Sequence, residues 1–366
     1  GNRSHGRRRA VTSPAHDPSG MTARVVGFPE QLRAAWTLAA EGPDLLGGAR
    51  PQRIYVCGMG GSAIGGDFLR AFAETEGRTP VEVVRDYRLP LAAGPESFAF
   101  FVSYSGGTEE TLSAWEDASR RGVPRAAVTS GGRLAELAAG EGVPCVRIPG
   151  GAPPRSALGW TAVPLFAACG RGGLLPVRGE DLEEAAAACE EVIAAHGPGV
   201  KEDPLREWAE SCADGMAFLY APASPYGPCA LRWQNQINEN AKALAHVALL
   251  PEQNHNEIVG WESGSAAVRL ARVAFLAGEA APPRVRRRME IVQEVVRGAG
   301  AVTARFEPRG RGLLARLLSL AVMGDLASLH LAAARGVDPT PVASIDRLKA
   351  ALGDLPLALR EPGRLE

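Results

Sequence analysis

R-I-Y-V-C-G-M-G-G-S-A-I-G-G-D, residues 53–67, is the stretch whose reading decides the fold. Arg53 to Cys57 is a short apolar strand, Gly58 to Asp67 a glycine-rich turn, and a helix carries on to about Glu74. Strand, glycine-rich turn and helix open an α/β unit. Glycines there let backbone N–H groups approach an anion at the helix N-terminus, where the helix dipole favours negative charge. Gly61 belongs to this approach, and Ser62 stands where its hydroxyl can cap the helix and touch a ligand. Val81 to Val84 is a second strand. Phe98 to Val102 is a third, and its wholly apolar character marks it as central. It runs into S-Y-S-G-G-T-E-E-T, residues 103–111. One hydroxyl with Glu109 and Glu110 behind it would be an ordinary helix cap. Ser103, Ser105 and Thr108 together, with two glycines, point instead to a phosphate cradle. Two such loops from neighbouring strands converge at the carboxyl edge of a parallel sheet, where these folds bind ligands.

Around this core the pattern repeats. A helix is expected over Pro29–Ala40, and strands at Ala126–Thr129 and Val143–Ile148 complete an alternating half. G-G-A-P-P-R-S-A-L-G, residues 150–159, is a rigid loop presenting Arg155, either one more surface arginine or a guanidinium for an anion. Residues 171–179 serve as linker. The second half reads as helices at Asp181–His196 and Asp203–Cys212, and a strand at Met216–Tyr220. After it come a strand at Val268–Ala277, a helix at Pro283–Gly298, a strand at Val302–Phe306 and a long helix at Leu313–Ala334. A last short helix opens at Ser344 and carries Lys349. The fold class is α/β, with domains at 25–170 and 180–366, after a disordered leader at 1–24 in which Met21 is a candidate start.

The second informative stretch is W-Q-N-Q-I-N-E-N-A-K-A-L-A-H-V-A-L-L-P-E-Q-N-H-N-E, residues 233–257. Of six asparagines in 366 residues, five fall here. Dense amides indicate a polar network held in register. A helix is expected from about Arg232 to Val247, stopped by Pro251. Asn235, Glu239, Lys242 and His246 then share one face, and Ile237, Ala241, Leu244 and Ala248 the other. The bland reading is a solvated face with a Glu239–Lys242 ion pair. The asparagines favour a site, with Glu239 and His255 as proton-moving groups. Only three lysines, 201, 242 and 349, stand against 37 arginines, so each is a candidate for a role that guanidinium cannot fill.

Composition bounds the function. Charge is balanced, 40 basic against 41 acidic, which gives no general pull towards nucleic acid or anionic membrane. No apolar run reaches the roughly 18 residues of a membrane span. Six scattered cysteines without a C-x-x-C pair argue against zinc or a disulfide framework. The expectation is a cytoplasmic protein without metal or other cofactor.

These motifs, with P-P-R-S-A-L-G (153–159), N-E-N-A-K (238–242), P-E-Q-N-H-N-E (251–257) and R-L-K (347–349), resemble the bifunctional phosphoglucose/phosphomannose isomerases of the sugar isomerase (SIS) superfamily. The resemblance runs in order from about residue 50. It implies two SIS subdomains, each a parallel-sheet αβα sandwich, in a homodimer with a shared active site, and no cofactor. The implied reaction interconverts fructose 6-phosphate with glucose 6-phosphate and mannose 6-phosphate. By the same resemblance Gly61, Ser62, Ser103, Ser105 and Thr108 hold the phosphate, Glu239 shuttles the proton between C1 and C2, and Arg155 stabilises the enediolate. His255, supplied by the partner subunit, and Lys349 assist ring opening. The residue types suit the chemistry, which needs a base reaching two carbons, a cation for the oxyanion and an acid–base group for the ring oxygen. One departure is Gly107, where the family typically has asparagine; the missing side chain is expected to alter affinity or substrate size. Two rival readings are a non-catalytic sugar-phosphate sensor and an NAD(P)-dependent oxidoreductase. The latter rests on Gly58, Gly60 and Ala63, with Asp86 after the next strand.

Overall fold

Hydrophobic strands flanked by glycine turns and amphipathic helices build an alternating chain in the computed structural model, which describes residues 17–353. In order come α1 (Met21–Val26), α2 (Phe28–Glu41), β1 (Arg53–Cys57), α3 (Gly60–Glu76), β2 (Val81–Val84) and β3 (Ser97–Val102). They are followed by α4 (Glu109–Arg120), β4 (Arg125–Thr129), α5 (Gly132–Gly140), β5 (Cys145–Arg147) and α6 (Leu158–Arg171). The second half holds α7 (Gly179–His196), α8 (Pro204–Ser211), β6 (Met216–Pro222), α9 (Gly227–Ala241), β7 (Ala245–Leu250), α10 (Ala266–Leu270) and β8 (Ala271–Leu276). α11 (Pro283–Gly298), β9 (Val302–Phe306), α12 (Leu313–Ala334) and α13 (Ala343–Leu352) complete it.

Two compact units share these elements. One holds residues 34–178 and the described residues from 340; the other holds residues up to 33 and 179–339. Both are discontinuous, whereas the sequence suggested the continuous segments 25–170 and 180–366. Of the leader expected at 1–24, residues 1–16 lie outside the described residues. From Asp17 the chain is folded: the Asp17 carboxylate accepts the Met21 and Thr22 amides at 2.8 and 2.7 Å, and Met21 is fully buried.

The 34–178 unit is built on a parallel sheet ordered β2-β1-β3-β4-β5. β3 is its middle strand and is buried along its whole length, as its apolar sequence requires. The chain winds one way from β1 to β2 and the other way from β3 to β5. β1 and β3 therefore flank the switch point, where a crevice opens at the carboxyl ends of the strands. Phe101, Trp115, Tyr55 and Leu134 pack one face of this sheet.

The 179–339 unit has a parallel sheet ordered β7-β6-β8-β9. α9 and α12 pack together and α9 lies on β6 and β7. On the other face Tyr220, Phe275 and Trp261 meet Met289 and Val292 of α11. α12 is long and apolar enough to cross a membrane by length and composition, with mean hydropathy 1.6, which corrects the expectation that no stretch reaches that size. In the fold it is a core helix, packed against α7, α8 and α9, with 78% of its most apolar window buried.

The helix expected over 232–247 is corrected too. α9 ends at Ala241 because Lys242 takes the left-handed conformation, φ 52°. Its ammonium donates to the main-chain carbonyls of Glu239 at 2.8 Å and Pro339 at 3.0 Å. Residues 245–250 then pair with β6 as a strand, since tertiary pairing overrides the helix propensity of alanine and leucine. Leu244, assigned to the apolar helix face, is 78% exposed, and His246 projects from a strand.

Candidate active site

The two loops at the switch point are tied to one another before any ligand arrives. Ser62 does not cap α3; its Oγ accepts the Tyr104 amide at 3.1 Å and so joins the β1 loop to the β3 loop. Ser103 Oγ lies 2.9 Å from Thr108 Oγ1 and accepts the Gly106 amide at 3.0 Å. Thr108 occupies the N-cap position of α4 without a side-chain cap, because its hydroxyl is turned to Ser103. Ser105 is exposed at the loop tip and accepts the Gly107 amide at 3.3 Å. Gly106 has φ 72°, and a β-carbon there would lie 1.8 Å from the Gly131 carbonyl oxygen, so only glycine closes this turn. Gly107 is the opposite case: nothing lies within 4 Å of a β-carbon built on it.

The 150–159 loop is fastened to the same edge. The Ala152 amide donates to Tyr104 Oη at 3.0 Å, and Ser130 Oγ donates to the Tyr104 carbonyl at 2.6 Å. Gly61 packs directly against the turn Pro154–Ser156; a β-carbon at Gly61 would stand 2.9 Å from Arg155 N. Arg155 is only 3% exposed, which removes the surface-arginine reading. Its Nη2 donates to the Thr340 carbonyl at 2.8 Å. Thr340, which no sequence signal singled out, begins the segment leading into α13, where Lys349 is exposed. Gly61, Ser62, Ser103, Ser105, Thr108, Arg155 and Lys349 thus all belong to one unit.

Glu239 and His255 belong to the other. The polar residues of the 233–257 stretch and its approach divide sharply by burial. Arg232, Gln236 and Asn240, four apart on α9, are 3%, 1% and 0% exposed and face α12. Arg232 Nη2 donates to Asp325 Oδ2 at 2.6 Å, Gln236 Nε2 to Asp325 Oδ1 at 2.9 Å, and Asn240 Nδ2 to Ser328 Oγ at 2.9 Å. Burial pushes the Asp325 carboxyl upward against the pull of Arg232. Trp233 Nε1 donates to the Leu320 carbonyl at 2.7 Å, and its indole fills the space a side chain at Gly324 would need. This keyway fixes the rotation of α9. Asn238 and Lys242 are left on the solvent side, and the half-exposed Glu239 stands at its margin.

His255 closes a short 3₁₀ turn, Glu252–His255, after β7 and is exposed. The segment then crosses the sheet face opposite α9, where Trp261 is buried with Tyr220 and Met289. Within this unit Glu239 precedes β7 and His255 follows it, so the length of that strand separates them. Among the described residues no three His, Cys, Asp or Glu side chains are grouped as metal ligands.

Comparison with known proteins follows the same lines. Residues 201–352 match the family model described as the bacterial phospho-glucose isomerase C-terminal SIS domain. The chain is 34% identical over 338 residues to a bifunctional phosphoglucose/phosphomannose isomerase of Caldicellulosiruptor bescii, covering 90% of this chain and 98% of that one. It is 36% identical over 300 residues to the protein of the same name from Thermoplasma acidophilum, covering 81% and 89%. Among solved structures, a hypothetical protein from Thermus thermophilus superposes with TM-score 0.71 at 16% identity, over 92% of this chain and 90% of that one, a likeness of fold.

Proposed function

Because this chain belongs to the bifunctional phosphoglucose/phosphomannose isomerase family, we propose that it interconverts fructose 6-phosphate with glucose 6-phosphate and mannose 6-phosphate through an enediolate. The observation that carries the site reading is the interlocked hydroxyl cradle at the β1–β3 switch point. There Gly61, Ser62, Ser103, Ser105 and Thr108 hold the phosphate, with main-chain N–H groups at the N-terminus of α3 adding positive potential. Glu239 carries the proton between C1 and C2, a task for which a half-exposed carboxylate on a rigidly held helix is suited. General acid–base catalysis of this kind is worth about 10²- to 10⁴-fold. The buried Arg155, oriented by the Thr340 carbonyl, stabilises the enediolate oxygen. His255 and Lys349 pass protons to and from the ring oxygen.

The same reading makes the enzyme a homodimer in which His255 of one copy serves the sugar on the other. What supports it is the separation of Glu239 and His255 by the length of β7, together with the exposure of His255. A cytoplasmic setting accords with six free thiols, among which burial pushes Cys169 and Cys212 up to about 12. We place the protein off the membrane and off nucleic acid, in keeping with the burial of α12 and the balanced charge.

The test is a coupled assay with fructose 6-phosphate in EDTA that detects the two aldose phosphates separately. Both products are expected, and their ratio gives the preference at C2. Thermal stabilisation by fructose 6-phosphate without either product would replace the enzyme with a sensor. For the shared site, inactive Glu239→Gln and His255→Ala subunits are mixed and allowed to exchange; activity should reappear, and a mixture that exchanges yet stays inactive rules it out.

A further inference from the structure

Two residues beyond His255, Glu257 applies both carboxylate oxygens to the sheet beneath it. Oε1 accepts from the Tyr220 hydroxyl of β6, and Oε2 lies 2.9 Å from His246 Nε2 of β7. Tyr220 is fully buried, and burial together with the Glu257 carboxylate raises its hydroxyl well above the ordinary tyrosine range, so it remains a donor. Trp261 Nε1 donates to Tyr220 Oη at 3.0 Å. Indole, phenol and carboxylate therefore form a directed chain, in which each donor points towards Glu257. The ring of Phe218 backs both ends, with its centroid 5.2 Å from that of His246 and 5.6 Å from that of Trp261.

The turn itself is fastened on either side of His255. Asn256 Oδ1 accepts the Glu257 amide at 2.6 Å, and Asn256 Nδ2 donates to Glu252 Oε1 at 3.0 Å. Asn254 Nδ2 donates to Gln253 Oε1 at 2.9 Å. His255 is thus an exposed imidazole on a short turn whose anchor is a carboxylate clamp two residues away. An ordinary loop staple needs one such bond. Here a carboxylate with two strand-borne donors sets the position of one exposed proton-transfer group, where a misplacement of about 1 Å can cost on the order of 10²-fold in rate.

We propose that Glu257 is the positioning residue for His255, with Tyr220 and His246 as its two supports. The proposal rests on the ring-opening role given to His255. A substrate that cannot form a ring isolates that role: 5-deoxyfructose 6-phosphate lacks the hydroxyl that closes onto C2 and is always open-chain. The quantity to measure is the ratio of kcat/KM on fructose 6-phosphate to kcat/KM on this analogue.

Glu257→Ala should lower that ratio about 10- to 100-fold, as His255→Ala should. Glu257→Gln should restore it to within about threefold, since an amide can accept from Tyr220 while His246 presents its unprotonated nitrogen to the amide N–H. If Glu257→Ala fails to fold, Tyr220→Phe keeps the buried ring, removes the hydroxyl and should lower the ratio in the same direction. The proposal is overturned if His255→Ala lowers the ratio while Glu257→Ala or Tyr220→Phe does not, or if both substrates fall together in those variants. Should His255→Ala itself leave the ratio unmoved, the ring-opening role fails, and the clamp loses its purpose with it.

Discussion

The two polar-rich regions solve opposite problems. In the β1 and β3 loops the hydroxyls satisfy one another and the backbone, leaving a preformed cradle in which Ser103 is fully buried and Ser105 exposed within three positions. In the 232–257 stretch the division runs between helix faces. Arg232, Gln236 and Asn240 are spent on holding α9 to α12, and the polar groups left at least partly open to solvent include Asn238, Glu239 and, past β7, His255. The cluster of amides in this sequence therefore serves two helix faces, one buried and one open to solvent, and burial separates the two.

Four substitutions test that separation, from the largest expected effect to the smallest. Glu239→Gln should lower kcat by about 10²- to 10⁴-fold while the melting temperature stays close to that of the wild type; an equal loss of stability would move Glu239 to the structural side. Asp325→Ala leaves Arg232 buried without its carboxylate and should cost about 3–5 kcal/mol in urea unfolding. At temperatures where the variant is folded its KM should change little, and a selective loss of activity would blur the boundary between keyway and site. Ser103→Ala removes one of two acceptors of the Gly106 amide, which keeps the Ser103 carbonyl at 3.1 Å; it should cost about 0.5–1.5 kcal/mol and raise KM for fructose 6-phosphate more than it lowers kcat. Gly107→Asn enters open space, so stability should hold within about 0.5 kcal/mol; its effect should appear as a lower KM, and an unchanged KM would show that this position does not reach the phosphate.

Much of this was legible in the sequence. The strands at 53–57, 81–84 and 302–306 and the helices at 283–298 and 313–334 fall where composition placed them, because strand apolarity and glycine punctuation are local signals. The convergence of the two glycine loops followed from topology. The end of α9 was not readable, since a short, largely apolar stretch such as 243–250 fits helix or strand equally and the stop is a lysine, not a glycine, in the left-handed region. The division of labour along α9 was hidden for another reason. Its partners Asp325 and Ser328 lie 88 to 93 residues away, and no local pattern announces them. The same holds for Glu257, whose clamp residue Tyr220 lies 37 positions upstream.

The discontinuity of the units bears on how the protein is made. Translation delivers β1 to β5 early, yet the unit they form is completed by residues from 340 onward, which are synthesised after all of the 179–339 unit. Domains generally fold as they emerge, amino-terminal parts first; here the Thr340 carbonyl that accepts from Arg155 arrives only after the 179–339 unit has been made. A nascent chain halted at the close of the 179–339 unit would carry both sheets and still lack Lys349. The hydrogen bond from Arg155 to Thr340 is thereby withheld until synthesis has passed that point.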